Sequence, residues 1–185
     1  MGPQGVGKGT QAARLAETFG IVTISTGDIF RANIEGDTEL GREAKAYIEQ
    51  GELVPDEVTN AMVRERLGRP DVASGFLLDG YPRNSAQVEE LDRILSDLGW
   101  ELDGVIELTA DRDELMARLA KRAEEEGRTD DTPEAIEKRL AIYDAETAPL
   151  TAAYAERGLL AKVDGVGEIP DVTDRIVTSL AAQLG

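Results

Sequence analysis

Apolar residues along the chain alternate between short unbroken runs and stretches where they recur every three or four positions. Ala12, Ala13, Leu15, Ala16 and Phe19 lie on one side of a helix that opens near Lys8. Residues 21–25 form a short β-branched run that reads as a strand, and Thr26-Gly27-Asp28 caps a helix carried by Phe30 and Ile34. Residues 39–50 read as a short polar helix closed by Gly51, and Pro55 opens another through Val58, Met62, Val63 and Leu67 to Gly68. These helices carry little apolar surface, which predicts a small subdomain lying against a larger core. Phe76-Leu77-Leu78-Asp79 then reads as a fully buried strand ending on a carboxylate.

Beyond it, residues 87–98 place Val88, Leu91, Ile94, Leu95 and Leu98 on one helical face. A strand at 105–108, a helix at 113–125 and a polar stretch at 127–132 follow. Pro133 opens a long helix toward Tyr154 with a bend near Pro149. Residues 159–163 give the last strand and 172–184 the closing helix. Strands alternating with helices predict an α/β fold in three layers, a parallel sheet covered on both faces. Ligands of such sheets collect beyond the carboxyl ends of the strands. The segments 2–10, 25–28, 79–83 and 164–165 all fall there and are expected to converge on one crevice.

The first of these segments, Gly2-Pro3-Gln4-Gly5-Val6-Gly7-Lys8-Gly9-Thr10, is a phosphate-binding loop. Its glycines let backbone N–H groups turn toward an anion, the following helix adds its positive end, and Lys8 would reach the β- and γ-phosphates. The usual hydroxyl directly after the lysine is displaced by Gly9 onto Thr10. A plain glycine turn before an ordinary helix is the competing reading; glycines at three fixed offsets before a lysine favour phosphate. Such a loop normally leaves a buried parallel strand, yet Met1 stands immediately before it. Either the true chain begins earlier, or the sheet lacks its opening strand and leaves backbone groups and apolar faces uncovered.

Composition narrows the chemistry further. A chain of 185 residues with 41% hydrophobic content suits one domain with insertions. A formal charge of −17, from 37 acidic and 20 basic side chains, argues against nucleic-acid or anionic-membrane partners, so an anionic ligand must be drawn in locally. Cysteine and histidine are both absent, which removes disulfides, thiol nucleophiles, Ser–His pairs and the usual zinc ligands. What is left is carboxylates, cations, backbone dipoles and a hard metal ion. No apolar stretch is long enough to cross a bilayer and no signal sequence precedes the loop, so the cytoplasm is the expected compartment.

Lys8, Arg31, Arg83, Arg118, Arg122, Arg128 and Arg139 stand in or beside loops facing the crevice. Any one of them alone reads as a solvated charge; together with the loop they form a candidate phosphate cage, since a guanidinium fork matches phosphate oxygens. Asp79, at a strand end beside the loop, is a candidate to hold Mg²⁺ directly or through water, with an N-cap as the alternative. Asp130 and Asp131 read first as caps of the helix opening at Pro133.

With these residues in place, the chain resembles the adenylate kinases of the nucleoside monophosphate kinase family, a P-loop NTPase-type fold. The matching stretches are GPQGVGKGTQ at 2–11, STGDIFR at 25–31, GELVPDE at 51–57, FLLDGYPRNSAQ at 76–87, RLAKR at 118–122, RTDDTPEAIEKRL at 128–140 and TAPL at 147–150, in family order. The resemblance implies that Gly5, Val6, Gly7, Lys8, Gly9 and Thr10 bind the ATP phosphates, with Arg118 against adenine, Arg122 on the phosphates and the Gly167 backbone at the adenine amine. It implies an AMP site from Thr26, Arg31, Glu52, Leu53, Val54, Gly80, Tyr81, Pro82, Arg83 and Gln87, with Arg128 and Arg139. Lys8, Arg83, Arg122, Arg128 and Arg139 would be the catalytic cations, and Asp79, with Thr10, would place hydrated Mg²⁺. The implied organisation is a single kinase domain over 1–185, with an NMP-binding subdomain at 25–54 and a short lid at 121–131 for which no zinc is expected.

The implied reaction is reversible transfer from MgATP to AMP, giving two ADP and serving adenine nucleotide homeostasis, in a monomer. It agrees with the residue inventory: a phosphate acceptor is already largely dianionic at neutral pH, so no histidine or other base is required. Gln87 and Thr26 match an adenine-reading pattern. Asn84 is reminiscent of pyrimidine monophosphate kinases, which leaves UMP or CMP open. An inactive nucleotide-binding protein also stays open if the first strand is absent. A GTPase-type switch would carry an Asn-Lys-x-Asp motif, and the sequence has none.

Overall fold

The computed structural model describes residues 1–126 and 132–184. The chain enters through the glycine loop into α1 (Lys8–Phe19), which Gly20 closes in a left-handed conformation, φ 64°, with its N–H on the Ala16 and Glu17 carbonyls. β1 (Val22–Ser25) leads directly into α2 (Thr26–Glu35). The cap of α2 is Ser25, one residue earlier than the pattern suggests: its hydroxyl accepts from the Asp28 N–H at 3.2 Å. α3 (Glu39–Glu49) and α4 (Asp56–Leu67) follow, then β2 (Phe76–Asp79) and α5 (Ser85–Leu98), which is capped by Asn84. β3 (Val105–Thr109), α6 (Arg112–Glu126) and α7 (Pro133–Ile142) come next. The bend expected at Pro149 takes the form of a π-helical turn over Tyr143–Thr147, which separates α7 from α8 (Leu150–Glu156). β4 (Leu160–Asp164) and α9 (Ile169–Leu184) complete the fold.

Among the described residues the strands form two parallel pairs rather than one continuous sheet. β1 pairs with β2, Ser25 opposite Asp79, and β3 pairs with β4, Thr109 opposite Asp164. Each pair has its own apolar core. Leu15, Leu108, Leu119, Val163 and Ile176 pack around β3–β4, whereas Ile24, Val63, Leu91 and Ile94 pack around β1–β2. A third, smaller cluster of Phe30, Ala44 and Val54 holds α2 and α3 together, as the sparse apolar content of that region predicts.

The expectation that Phe76–Asp79 is fully buried is corrected: all four residues remain partly exposed. The physical reason is the pairing. β2 has a strand on one side only, and its second edge opens into a cavity shared with the free edge of β3. Met1 occupies one rung on that β3 edge: its carbonyl accepts from the Leu108 N–H at 3.0 Å and its amino group donates to the Ile106 carbonyl. Both half-sheets nevertheless direct their carboxyl ends to the same side as the glycine loop, and that convergence positions the site.

Candidate functional site

The loop at residues 2–9 closes onto the carboxyl ends of the strands. Gly5 and Gly7 take positive φ of 86° and 99°, a region that side-chain-bearing residues avoid. A side chain at Gly5 would also strike Leu119, 2.8 Å from its Cβ position, so the loop needs glycine there for both conformation and space. Lys8 turns back over its own loop and donates to the Gly2 and Pro3 carbonyls at 2.8 and 2.9 Å. Withdrawal from bulk water, against the attraction of Asp79 and with repulsion from Arg83 and Arg122, lowers its pKa to about 8. The Met1 amino group is brought down to about 5, mainly by burial and then by Lys8.

A single cavity of about 1320 Å³ is lined by Lys8, Arg31, Arg83, Arg118, Arg122 and Arg139, together with Asp79, Thr10 and Gly167. The cations predicted from sequence within the described residues therefore share one space; Arg128 lies outside the described residues. Arg83 is held by its Nε–H on the Gly80 carbonyl at 2.8 Å, and Thr147 donates to the Arg83 carbonyl at 2.6 Å. Burial, followed by the nearby Arg139 and Arg31 charges, holds the Arg83 pKa below the ordinary guanidinium range. An array of like charges under mutual repulsion is what an anionic ligand would relieve. Arg31 pairs with Asp28, and Arg139 donates to the Ile48 carbonyl at 2.8 Å. Arg118 pairs with Glu114 at 2.6 Å and reaches the Val6 and Gly165 carbonyls at 3.3 and 3.2 Å, which lays it across the glycine loop.

The opposite wall is built from the segment after β2. Gln87 is 2% exposed, and both ends of its amide are engaged. Nε2 donates to Asp56 Oδ1 at 2.7 Å, while Oε1 accepts from the Arg83 N–H at 2.8 Å. The amide keeps a second N–H and a second lone pair for a ligand. Asn84 donates to both Asp56 oxygens at 3.0 and 3.2 Å and caps α5. Thr26, also buried, donates to the Gly80 carbonyl at 3.1 Å, which leaves its lone pairs available. Tyr81 precedes Pro82 through a cis peptide bond, and its hydroxyl donates to Asn60 at 2.7 Å; burial raises its pKa.

The 51–54 segment spans toward α7. Glu52 pairs with Lys138 at 2.6 Å, Leu53 lines the cavity, and Val54 packs into the α2–α3 cluster. Gly51, φ 71°, abuts the Ala135 main chain so closely that a Cβ would sit 2.8 Å from its carbonyl oxygen. At the far end, Arg175 ties the turn at Gly165–Gly167 by donating to the Asp164 and Val166 carbonyls at 2.7 and 2.6 Å.

Asp56, Thr147, Lys138 and Arg175 are not singled out by the sequence pattern. Asp56 carries a faint signal, standing in the GELVPDE stretch with nothing local to cap beyond its own helix.

Magnesium tends to keep several waters and take one or two protein carboxylates. The Asp79 carboxylate fits that demand: one of its oxygens lies 3.8 Å from the Cβ position of Gly9, beside the loop, and the Thr10 hydroxyl shares the cavity. Among the described residues no group of three or more acidic, histidine or cysteine side chains gathers as a closed metal cage, and no helix is long and apolar enough to cross a membrane.

The sequence model of a family described as Adenylate kinase matches residues 1–159. The chain is 61% identical over 180 residues to the adenylate kinase of Kocuria rhizophila, covering 97% of this chain and 96% of that protein. It is 60% identical over 180 residues to the adenylate kinase of Bifidobacterium longum, covering 97% of each. The adenylate kinase of Thermobifida fusca is 55% identical over 183 residues, 99% of this chain and 97% of that relative.

Proposed function

This chain belongs to the adenylate kinase family, and on that footing we propose that its cleft transfers a phosphoryl group reversibly from MgATP to AMP, giving two ADP. The single observation that carries the reading is the shared cavity of Lys8, Arg31, Arg83, Arg122 and Arg139 above the strand ends. In the transfer, an AMP phosphate oxygen forms a bond to the γ-phosphorus while the bond to the bridging oxygen breaks, and ADP leaves. The acceptor is dianionic already, so the protein's task is alignment and charge stabilisation.

We assign the ATP phosphates to the backbone of residues 5–10 and to Lys8, which must leave the Gly2 and Pro3 carbonyls to reach them. Arg118 and Gly167 stand at the adenine end. Thr26, Gly80 and Gln87 would receive the AMP base, the 52–54 segment would flank it, and Arg31, Arg83 and Arg139 would hold its phosphate. Arg122 and Arg128 would close over the transferring group from the lid at 121–131, opposite the NMP-binding unit at 25–54. Bound Mg²⁺ would neutralise β- and γ-phosphate charge, with Asp79 and Thr10 as the residues that would hold it. We place the enzyme in the cytoplasm, acting as a monomer on small nucleotides.

A coupled assay across AMP, UMP, CMP and GMP tests the reading. Turnover with AMP at least tenfold above the others is expected; faster turnover with UMP or CMP would reassign the base pocket to a pyrimidine. Calorimetric binding of a two-nucleotide bisubstrate analogue, compared with turnover, separates a binding-competent but inactive protein from an enzyme.

A further inference from the structure

The turn between β4 and α9, at residues 164–168, gives its carbonyls to two arginines. Arg175 stands in the second turn of α9, and a helical side chain leans back toward the N-terminus of its own helix. Its guanidinium therefore reaches the turn that precedes the helix. Nη1 donates to the Asp164 carbonyl at 2.7 Å, Nη2 to the Val166 carbonyl at 2.6 Å and Nε to the Asp171 carbonyl at 3.3 Å. Arg118, from α6, takes the Gly165 carbonyl at 3.2 Å.

The Glu168 carbonyl is occupied as well, by the Val172 N–H at 3.1 Å. Gly167 remains: among the described residues its carbonyl accepts no hydrogen bond, and Gly167 lines the nucleotide cavity. A Cβ at Gly167, φ 121°, would stand 3.0 Å from Arg175 Nη2, so bare main chain there leaves the guanidinium its place. Both flanks of the turn are anchored independently. The Gly165 N–H donates to the Thr109 carbonyl at 2.8 Å, and Gln11, 4% exposed, holds the Ile169 carbonyl through Nε2 at 3.0 Å. Between those anchors, glycine at 165 and 167 gives the main chain freedom to reorient. Arg175 holds the carbonyls of that span in one arrangement.

We propose that Arg175 is a positioning residue that sets base selectivity for the phosphoryl donor, an inference that rests on the reading that puts the donor adenine at Arg118 and Gly167. By drawing the Asp164 and Val166 carbonyls to itself, Arg175 commits the Gly167 carbonyl to the cavity as an acceptor. An acceptor there suits a purine whose edge carries an amino group. It opposes a purine whose edge carries an oxo group, because two acceptors then meet with no proton between them. Released from the guanidinium, the turn can offer a main-chain N–H in the same place, and the distinction weakens.

The test compares the unmutated protein with Arg175→Ala and Arg175→Lys, with ATP and GTP as donors at saturating AMP. In Arg175→Ala the KM for ATP should rise about five- to twentyfold while kcat and the KM for AMP hold within about twofold. The ATP-to-GTP ratio of kcat/KM should fall by about fivefold or more. Arg175→Lys keeps the charge but loses the planar fork, so its ratio should fall as well. An unchanged ratio in Arg175→Ala overturns the proposal, as does an equal loss of kcat with both donors, which a merely structural residue would give. A lysine variant as selective as the original also overturns it, by assigning the effect to charge alone. The same ratio read from equilibrium binding of ATP and GTP does not depend on turnover. Failure of the phosphoryl-transfer reading shows in the unmutated protein, as absent ATP–AMP exchange; failure of this one shows only in the variants.

Discussion

The wall built by Gln87, Asn84 and Asp56 and the floor built by the glycine loop are prepared for ligands to very different degrees. On the wall, the Gln87 amide, the Asn84 amide and the Asp56 carboxylate satisfy one another before any nucleotide arrives. On the floor, Lys8 is spent on its own loop's carbonyls, and the strand edges beneath remain half-paired. Two amides and a carboxylate can be pre-arranged at little cost, because each has a partner. A cluster of cations is harder to pre-arrange, because its members repel one another, and an anion between them relieves that repulsion.

The sharpest way to break this contrast is to remove the floor's charge. Lys8→Met should lower kcat by about 10²–10³-fold, yet change the Tm of the ligand-free protein by only a few degrees, because the lysine stands among other cations; a proportionate loss of stability would assign it a structural role. Next in size is pH. The Lys8 pKa is lowered to about 8 in the free protein and should rise when phosphate sits beside the ammonium. ATP affinity is therefore fully present below about pH 8 and is lost as pH climbs above it, by about tenfold at one unit higher. Lys8→Arg, charged throughout, should flatten that profile whatever its basal affinity, as isothermal titration at several pH values would show.

A smaller effect is expected on the wall. Asp56→Asn lets the Gln87 amide rotate, since the new side chain can meet either end of it. The KM for AMP should rise about three- to tenfold while kcat and the KM for ATP hold; a fall in kcat alone would place Asp56 closer to the chemistry than we assign it. The smallest change is expected from Lys138→Ala. The Lys138–Glu52 pair is roughly two-fifths exposed on each side chain, and surface pairs of this kind contribute little, so a change in AMP affinity of less than about threefold should follow.

Much of this molecule was legible in its sequence wherever the cause is local. Element positions follow from apolar spacing, and the glycine loop and Arg83 fall in the connections around the strand ends that the pattern locates; Arg31, Arg118, Arg122 and Arg139 reach the same cavity from helices. Even the bend at Pro149 is local, although its π-helical form is not. What escaped the sequence depends on contacts distant along the chain. Asp56 meets Gln87 across 31 positions and Glu52 meets Lys138 across 86, and no periodicity encodes such pairs. The incomplete burial of Phe76–Asp79 escaped for the same reason. A run of apolar residues announces a strand, but its coverage depends on which neighbours lie beside it.

Gly51 carries a consequence of its own. On the proposed reading, with bare main chain pressed against bare main chain at Ala135, the contact would act as a mechanical stop on closure of residues 25–54. A bulkier residue at that point should work as a shim that holds the closure ajar, lets water toward the reacting phosphates and raises ATP hydrolysis relative to productive exchange.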